Sequence, residues 1–260
     1  MDMNQFLGLD KNEKPLDKIV TDGGYTGIFR TIACVGDSLS SGEFESIDKD
    51  GVTCYHDYFD YSWGQYMARI AGCTVKNFSK GGMTAKAYCT GWAEEQGFWN
   101  QEKGWAQCYI IALGVNDIIN NNMEIGTTMD ICRNDYTKNK KTFAGYYGEI
   151  VQRYLEIEPR AKFFFLTIPI YGGGERQEKV EAHAALMHEM ADFFENAYML
   201  DFAKYAPVYD ADFCSNMFLG SHMNPCGYIF TAHLVVSYID YIIRHNMKDF
   251  QQVGFIGTPY

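Results

Sequence analysis

The sequence predicts an α/β fold built on a parallel, doubly wound sheet. Two observations lead there. Short apolar runs rich in Val, Ile, Phe and Tyr recur along the chain, mostly continuous rather than alternating, as strands buried on both faces are. Longer stretches with helical spacing separate them, and strands alternating with helices argue for parallel pairing through crossovers.

Taken in order, the strands are expected at residues 31–35, 74–78, 108–113, 162–167 and 198–202. Helices are expected at 62–71, at 143–156 (closed by Pro159) and at 177–196. A last helix starts from Asn224 as N-cap, with Pro225 at the first helical position. A polar leader covers residues 1–26. Two connections are too long to be simple turns, and loops of that length are usually functional or internally structured. Residues 43–61 carry Phe44, Tyr55, His56, Tyr58, Phe59 and Tyr61, and residues 85–105 carry Tyr88, Trp92, Phe98, Trp99 and Trp105. Both are expected to be insertions over the ligand crevice of one domain spanning residues 1–260.

An apolar content of 47% in 260 residues is enough for a packed core without disulfides or metal. The net charge of −11 disfavours nucleic acid and anionic membranes as partners. No basic segment followed by an apolar one opens the chain, and no run approaches about 18 apolar residues, so a cytoplasmic, non-membrane protein is expected. The eight cysteines form no CxxC and read as free thiols of a reducing compartment.

In an open α/β sheet, ligands bind beyond the carboxyl ends of the strands. The first strand is followed by Gly36-Asp37-Ser38-Leu39-Ser40. The second gives Asn77 and then Ser79-Lys80-Gly81-Gly82, and the third gives Gly114-Val115-Asn116-Asp117. The fourth gives Pro169, Tyr171 and the Gly172–Gly174 run. Just before the last helix stands Gly220-Ser221-His222-Met223-Asn224-Pro225. A hydroxyl, a glycine N–H, an amide and an imidazole are what acyl transfer needs as nucleophile, oxyanion donors and base.

The GDSLS string at 36–40 resembles the first signature block of the GDSL/SGNH hydrolases. Asn77–Thr84 is similar to their second block, with Gly82 at its glycine. Gly114-Val115-Asn116-Asp117 matches the third, and His222 sits where the last-block histidine belongs. The resemblance runs from residue 36 to residue 225 in the family's order. It implies a flavodoxin-like three-layer α/β/α domain, with five parallel strands ordered 2-1-3-4-5. It also implies Ser38 as nucleophile and His222 as base and then acid. The Ser38 and Gly82 backbone N–H groups and the Asn116 amide would form the oxyanion hole. No cofactor is implied.

One position departs from the pattern. Three residues before the histidine the family usually has Asp, and here stands Leu219. Either a backbone carbonyl orients the imidazole, or an acid arrives from elsewhere (Asp210, Asp212 and Glu43 are candidates), or catalysis is weak or lost. Taken singly, Ser38 also reads as an N-cap, Asn116 as an Asx-turn residue, Gly82 as a turn former and His222 as a helix cap. Asp37 and Asp117 read as turn hydrogen-bonders. His183 and His188 are five apart and share no helix face, and His222 with Cys226 lacks further ligands, so no metal site is expected. Neither a P-loop nor a GxGxxG occurs, so no nucleotide cofactor is expected.

Tyr55, Tyr58, Trp63, Trp92 and Trp99 either wall a substrate pocket or form small cores within the insertions. The expected function is removal of short acyl groups, O-acetyl groups of carbohydrates foremost, from a small-molecule or oligosaccharide ester. Acyl transfer, lipid or thioester acylhydrolysis, and non-catalytic saccharide binding are the alternatives.

Overall fold

A computed structural model describes residues 7–171 and 175–259, and the Gly172–Gly174 run lies outside them. Strand β1 (Thr31–Gly36) turns directly into the short helix α1 (Ser38–Ser41). A hairpin of β2 (Glu43–Ile47) and β3 (Thr53–Asp57) follows, then α2 (Trp63–Ala71) and β4 (Thr74–Ser79). Next come β5 (Cys108–Ala112), α3 (Phe143–Ile157), β6 (Lys162–Leu166), α4 (Glu175–Phe193) and β7 (Ala197–Leu200). Then come α5 (Ala211–Met217), a small hairpin of β8 (Phe218–Leu219) and β9 (His222–Met223), and α6 (Pro225–His245), with short helical turns at Met247–Phe250 and Val253–Phe255 after it.

Five strands form one parallel sheet in the order β4-β1-β5-β6-β7, which is 2-1-3-4-5 by position in the chain. Side chains alternate across it, because successive Cβ atoms of a strand point to opposite faces. Ala33, Val35, Tyr109, Ile111, Phe163 and Phe165 pack into one layer with α3 and α4. Ile32, Cys34, Cys108, Ile110 and Phe164 pack into the other with α2 and α6. Burial on both faces is why these strands read as continuous apolar runs.

The element ends shift by a few residues, for local reasons. Helix α4 stops at Phe193 rather than 196 because Asn196 adopts a left-handed φ of 62° before β7. Strand β7 stops at Leu200 because the Asp201 carboxylate accepts the Lys204 N–H at 3.1 Å and starts a helical turn instead. Helix α6 is long and apolar enough to cross a membrane by length and composition, against the expectation from the sequence. About 72% of its most apolar window is buried inside the protein, as a core helix would be. The described part of the leader is anchored to α6. Glu13 takes a bidentate pair of bonds from Arg244 at 2.8 and 2.9 Å, and Arg244 also holds Asp240 at 2.8 Å.

The two insertions diverge. The β2–β3 hairpin reaches the carboxyl ends of the sheet. The 85–105 segment does not cover the crevice, contrary to expectation. It folds as short helical turns against α3, with Tyr88, Trp92, Phe98 and Trp99 packing on Phe78 and Tyr154. The reason is burial. Tyr88 and Phe98 are almost wholly enclosed, and their area is removed from water in the sheet's own core.

Candidate active site

The blocks that carry Ser38, Gly82, Asn116 and His222 meet at one end of the sheet. Asp37 leaves β1 in an extended conformation, and its carboxylate accepts the Leu39 N–H at 3.1 Å. That cap fixes the turn on which Ser38 begins α1. Burial pushes the Asp37 carboxyl up to about 7, with the neighbouring Asp117 and Glu43 adding to the rise against the Leu39 N–H. Past β4, Gly82 holds φ at +71°, a left-handed geometry that favours glycine, and a Cβ there would meet nothing within 4 Å. The demand at Gly82 is therefore conformational.

Past β5, the Asn116 amide is oriented from both ends. Its Nδ2 donates to the Met83 carbonyl at 3.1 Å, and its Oδ1 accepts from Asn120 at 2.8 Å. Nδ2 carries a second N–H for the cavity. Asp117 accepts the Ala85 N–H at 3.0 Å, and burial raises its carboxyl to about 6. It ties the β5 turn to the segment after β4. His183 lies outside the cavity lining, buried between the Leu113 carbonyl and the Ile168 N–H, and burial lowers it to about 4.

His222 opens β9, one residue past a two-residue hairpin loop whose first position, Gly220, has φ +68°. A Cβ at Gly220 would collide with the Glu45 carboxylate. That carboxylate is the acid the sequence reading missed. Glu45 Oε1 lies 2.8 Å from His222 Nδ1 and also accepts the Ser221 N–H at 2.7 Å. The Ser221 hydroxyl donates to it as well. An imidazole whose Nδ1–H is held by a carboxylate presents a bare Nε2, the form a base needs. Burial by itself would push the Glu45 carboxyl up, but the bonds from Ser221 and His222 hold it below the ordinary range.

The three acids considered from the sequence stand elsewhere. Asp210 caps α5, accepting the Phe213 N–H at 2.9 Å. Asp212 is exposed on that helix. Glu43 reaches His222 from the other side, 3.9 Å from Nε2, and burial raises its carboxyl despite the pull of His222. Leu219 is exposed, directly across the small hairpin from His222. A sequence signal for Glu45 existed. Glu43-Phe44-Glu45 alternates with the period of a strand, so the two acids share a face while Phe44 turns to Tyr228 on α6, ring centroids 5.4 Å apart.

Ser38, Gly82, Asn116 and His222 line one cavity of about 550 Å³. Of the aromatic residues considered, Tyr55 lines it, its ring 5.7 Å from the imidazole. Tyr58 stacks on His56 outside the lining. Trp63 is buried at the start of α2, and Trp92 and Trp99 belong to the 85–105 core. Tyr171 and Arg176 complete the wall, and the sequence reading had not placed Arg176 there.

The fold recurs in solved structures. A carbohydrate acetylesterase from Sinorhizobium meliloti is 16% identical, with 82% of this chain and 99% of that one covered and a TM-score of 0.52. A family 3 carbohydrate esterase from Clostridium thermocellum is 14% identical, covering 83% and 97%, with a TM-score of 0.53. A family two carbohydrate esterase from the same organism, in complex with cellohexaose, is 15% identical, covering 91% and 66%, with a TM-score of 0.53. No match was found among curated proteins. The family model of the GDSL-like lipases/acylhydrolases matches residues 34–229, from the strand before the candidate nucleophile to beyond the candidate base, and the chain belongs to that family.

Proposed function

We propose that this hydrolase removes O-acetyl groups from carbohydrates through an acyl-enzyme on Ser38. The observation that carries the reading is the convergence of Ser38, Gly82, Asn116 and a carboxylate-held His222 on one cavity. A serine hydroxyl is a poor nucleophile until a base takes its proton. His222 Nε2 takes it as Ser38 Oγ bonds to the ester carbonyl carbon, and the carbonyl electrons move onto oxygen. That oxyanion is held by the backbone N–H groups of Ser38 and Gly82 and by the Asn116 amide. As the tetrahedral centre collapses, the C–O bond to the sugar breaks and His222 returns the proton to the departing hydroxyl. Water, deprotonated by His222, then releases acetate and restores Ser38.

Glu45 supplies the charge that stabilises the imidazolium formed in both steps. It fills the role left open by Leu219, which favours turnover over saccharide binding alone. The carbohydrate assignment is supported by the shared fold with the carbohydrate esterases above and by the hairpin at the crevice. There Tyr55 lines the cavity and is more than half exposed, as a ring that stacks on a sugar face would be.

The test is turnover of p-nitrophenyl acetate and of acetylated xylo- and cello-oligosaccharides by the parent and by Ser38→Ala. Loss of about 10⁴-fold or more in kcat for Ser38→Ala is expected. Acetylated saccharides should exceed the aryl acetate in kcat/KM. Equal activity of parent and Ser38→Ala would remove Ser38 from the mechanism, and preference for the aryl ester would remove the carbohydrate assignment.

A further inference from the structure

Arg176 stands second in α4 and lines the same cavity as Ser38 and His222. Its guanidinium lies 4.3 Å over the Tyr171 ring. Its Nε is buried without a partner, and among the described residues the guanidinium makes no hydrogen bond or ion pair. Other arginines of this acidic chain have partners, either backbone carbonyls, as for Arg30, Arg69 and Arg133, or acids. Arg244 holds Glu13 and Asp240, and Arg153 lies 3.4 Å from Glu94 and 3.7 Å from Glu149. Glu175, next to Arg176 in the chain, reaches Lys179 instead, at 3.9 Å.

Its position is also electrostatically unfavourable. The first turn of a helix carries the positive end of the backbone dipole, which favours anions and opposes a cation. A guanidinium stays protonated throughout the ordinary pH range, so it cannot escape by losing its charge. An unpaired, partly buried cation against a helix N-terminus is costly unless an anion joins it. Stacking on Tyr171 fixes the plane of the guanidinium, and a planar donor fork matches a carboxylate with two parallel N–H···O bonds.

Resting on the esterase reading above, we propose that Arg176 receives a carboxylate carried by the substrate, so that the preferred esters are acidic ones. A singly charged group suits the site better than a phosphate. Asp37 and Glu43 also line the cavity, Arg176 is the single Lys or Arg doing so among the described residues, and a dianion would meet more repulsion than one guanidinium offsets. The carboxylate could belong to the sugar, as in a uronic acid, or to the acyl group, as in a succinyl ester.

Two substrate pairs separate these sources. O-acetylated methyl glucuronide is compared with O-acetylated methyl glucoside, and p-nitrophenyl hemisuccinate with p-nitrophenyl butyrate. Each is assayed with the parent and with Arg176→Gln. The parent should favour the acidic member of one pair by about 10- to 100-fold in kcat/KM, the range of a charge-assisted bond. Arg176→Gln should bring that ratio to near parity, and the pair that responds names the source. No acidic preference in either pair, or a preference that Arg176→Gln leaves intact, overturns the proposal. If no ester is turned over, the esterase reading has failed and calorimetry decides Arg176 separately. Binding of methyl glucuronide or succinate that is lost in Arg176→Gln upholds the carboxylate site. Absent binding, or binding that survives the substitution, overturns it.

Discussion

The two aromatic insertions look alike in the sequence and do opposite things in the fold. Residues 43–61 form a hairpin whose tyrosines stay in water and whose acids reach the candidate base. Residues 85–105 bring a similar set of rings and bury them against Phe78 and Tyr154, leaving none in the catalytic wall. The difference lies in spacing. Glu43-Phe44-Glu45 alternates with period two, so one face carries the two carboxylates and the other carries Phe44 into the core beside Tyr228. The 85–105 segment lacks that alternation and coils into short helical turns, which gather its rings on the side facing α3. Aromatic content marks where a loop must pack, and periodicity decides what it packs against.

The largest effect that could break this comparison is on catalysis. If the hairpin completes the site, Glu45→Gln should lower kcat by about 10²–10⁴-fold, as removing the charge behind a catalytic histidine does. Circular dichroism and the thermal midpoint should stay close to the parent's. Asp210→Asn, which leaves a residue able to cap α5, should change kcat by less than about twofold. Equal losses in the two variants, or none in Glu45→Gln, would return the imidazole to a backbone partner and detach the hairpin from the chemistry.

The next effect is on stability and belongs to the other insertion. Phe98 is buried, its ring stacked 4.1 Å from Phe78. Phe98→Ala should cost about 3–5 kcal/mol of unfolding free energy by denaturant titration, with kcat of the folded fraction unchanged. Tyr55→Ala should reverse that pattern. Its ring is more than half exposed, so stability should move by less than about 0.5 kcal/mol, while KM for a saccharide ester rises several-fold. A stability loss at Tyr55 without a KM change would make the hairpin a structural flap rather than a binding wall.

Much of this architecture is legible in the sequence. The five strands and the four blocks at their ends follow from apolar runs and punctuation, which are encoded locally, and the strand order follows from the family resemblance. Glu45 was not found, because its partner is 177 residues away and proximity of that kind is set by how the hairpin folds back over α1. The Ser41 hydroxyl donates to Asp57, and Tyr58 N–H bonds the Gly42 carbonyl at 2.9 Å, contacts that no local pattern announces. Proximity in the chain points to Asp210 and Asp212 near Leu219, and to Glu43 near the nucleophile turn, one strand alternation short of Glu45. Arg176 escaped notice for a related reason. A basic residue among the charges at 175–181 reads as a solvated helix face until the cavity beside it is known.

The smallest effect separates the two acids of the hairpin by the sign of their titration. Glu43 is raised by burial, so the folded protein binds its proton more tightly than the unfolded chain does. The stability this gives is complete below the unfolded value, about 4.3, and is lost as pH rises through the folded one. Glu45 is lowered by Ser221 and His222, so its contribution is present above about 4.3 and is lost as pH falls through its folded value. Glu43→Gln should therefore flatten the decline of the thermal midpoint on the neutral side of about pH 4.3, and Glu45→Gln should flatten the decline on the acid side. Both groups are partly screened by water, so each change should stay within about 1 kcal/mol. If the two variants track the parent in parallel across that range, the carboxylates are equivalent surface acids. If the flattened limbs are opposite, two residues on one strand face divide their work, Glu45 with its carboxyl lowered by the bonds behind the imidazole and Glu43 with its carboxyl raised by burial beside the nitrogen that must face Ser38.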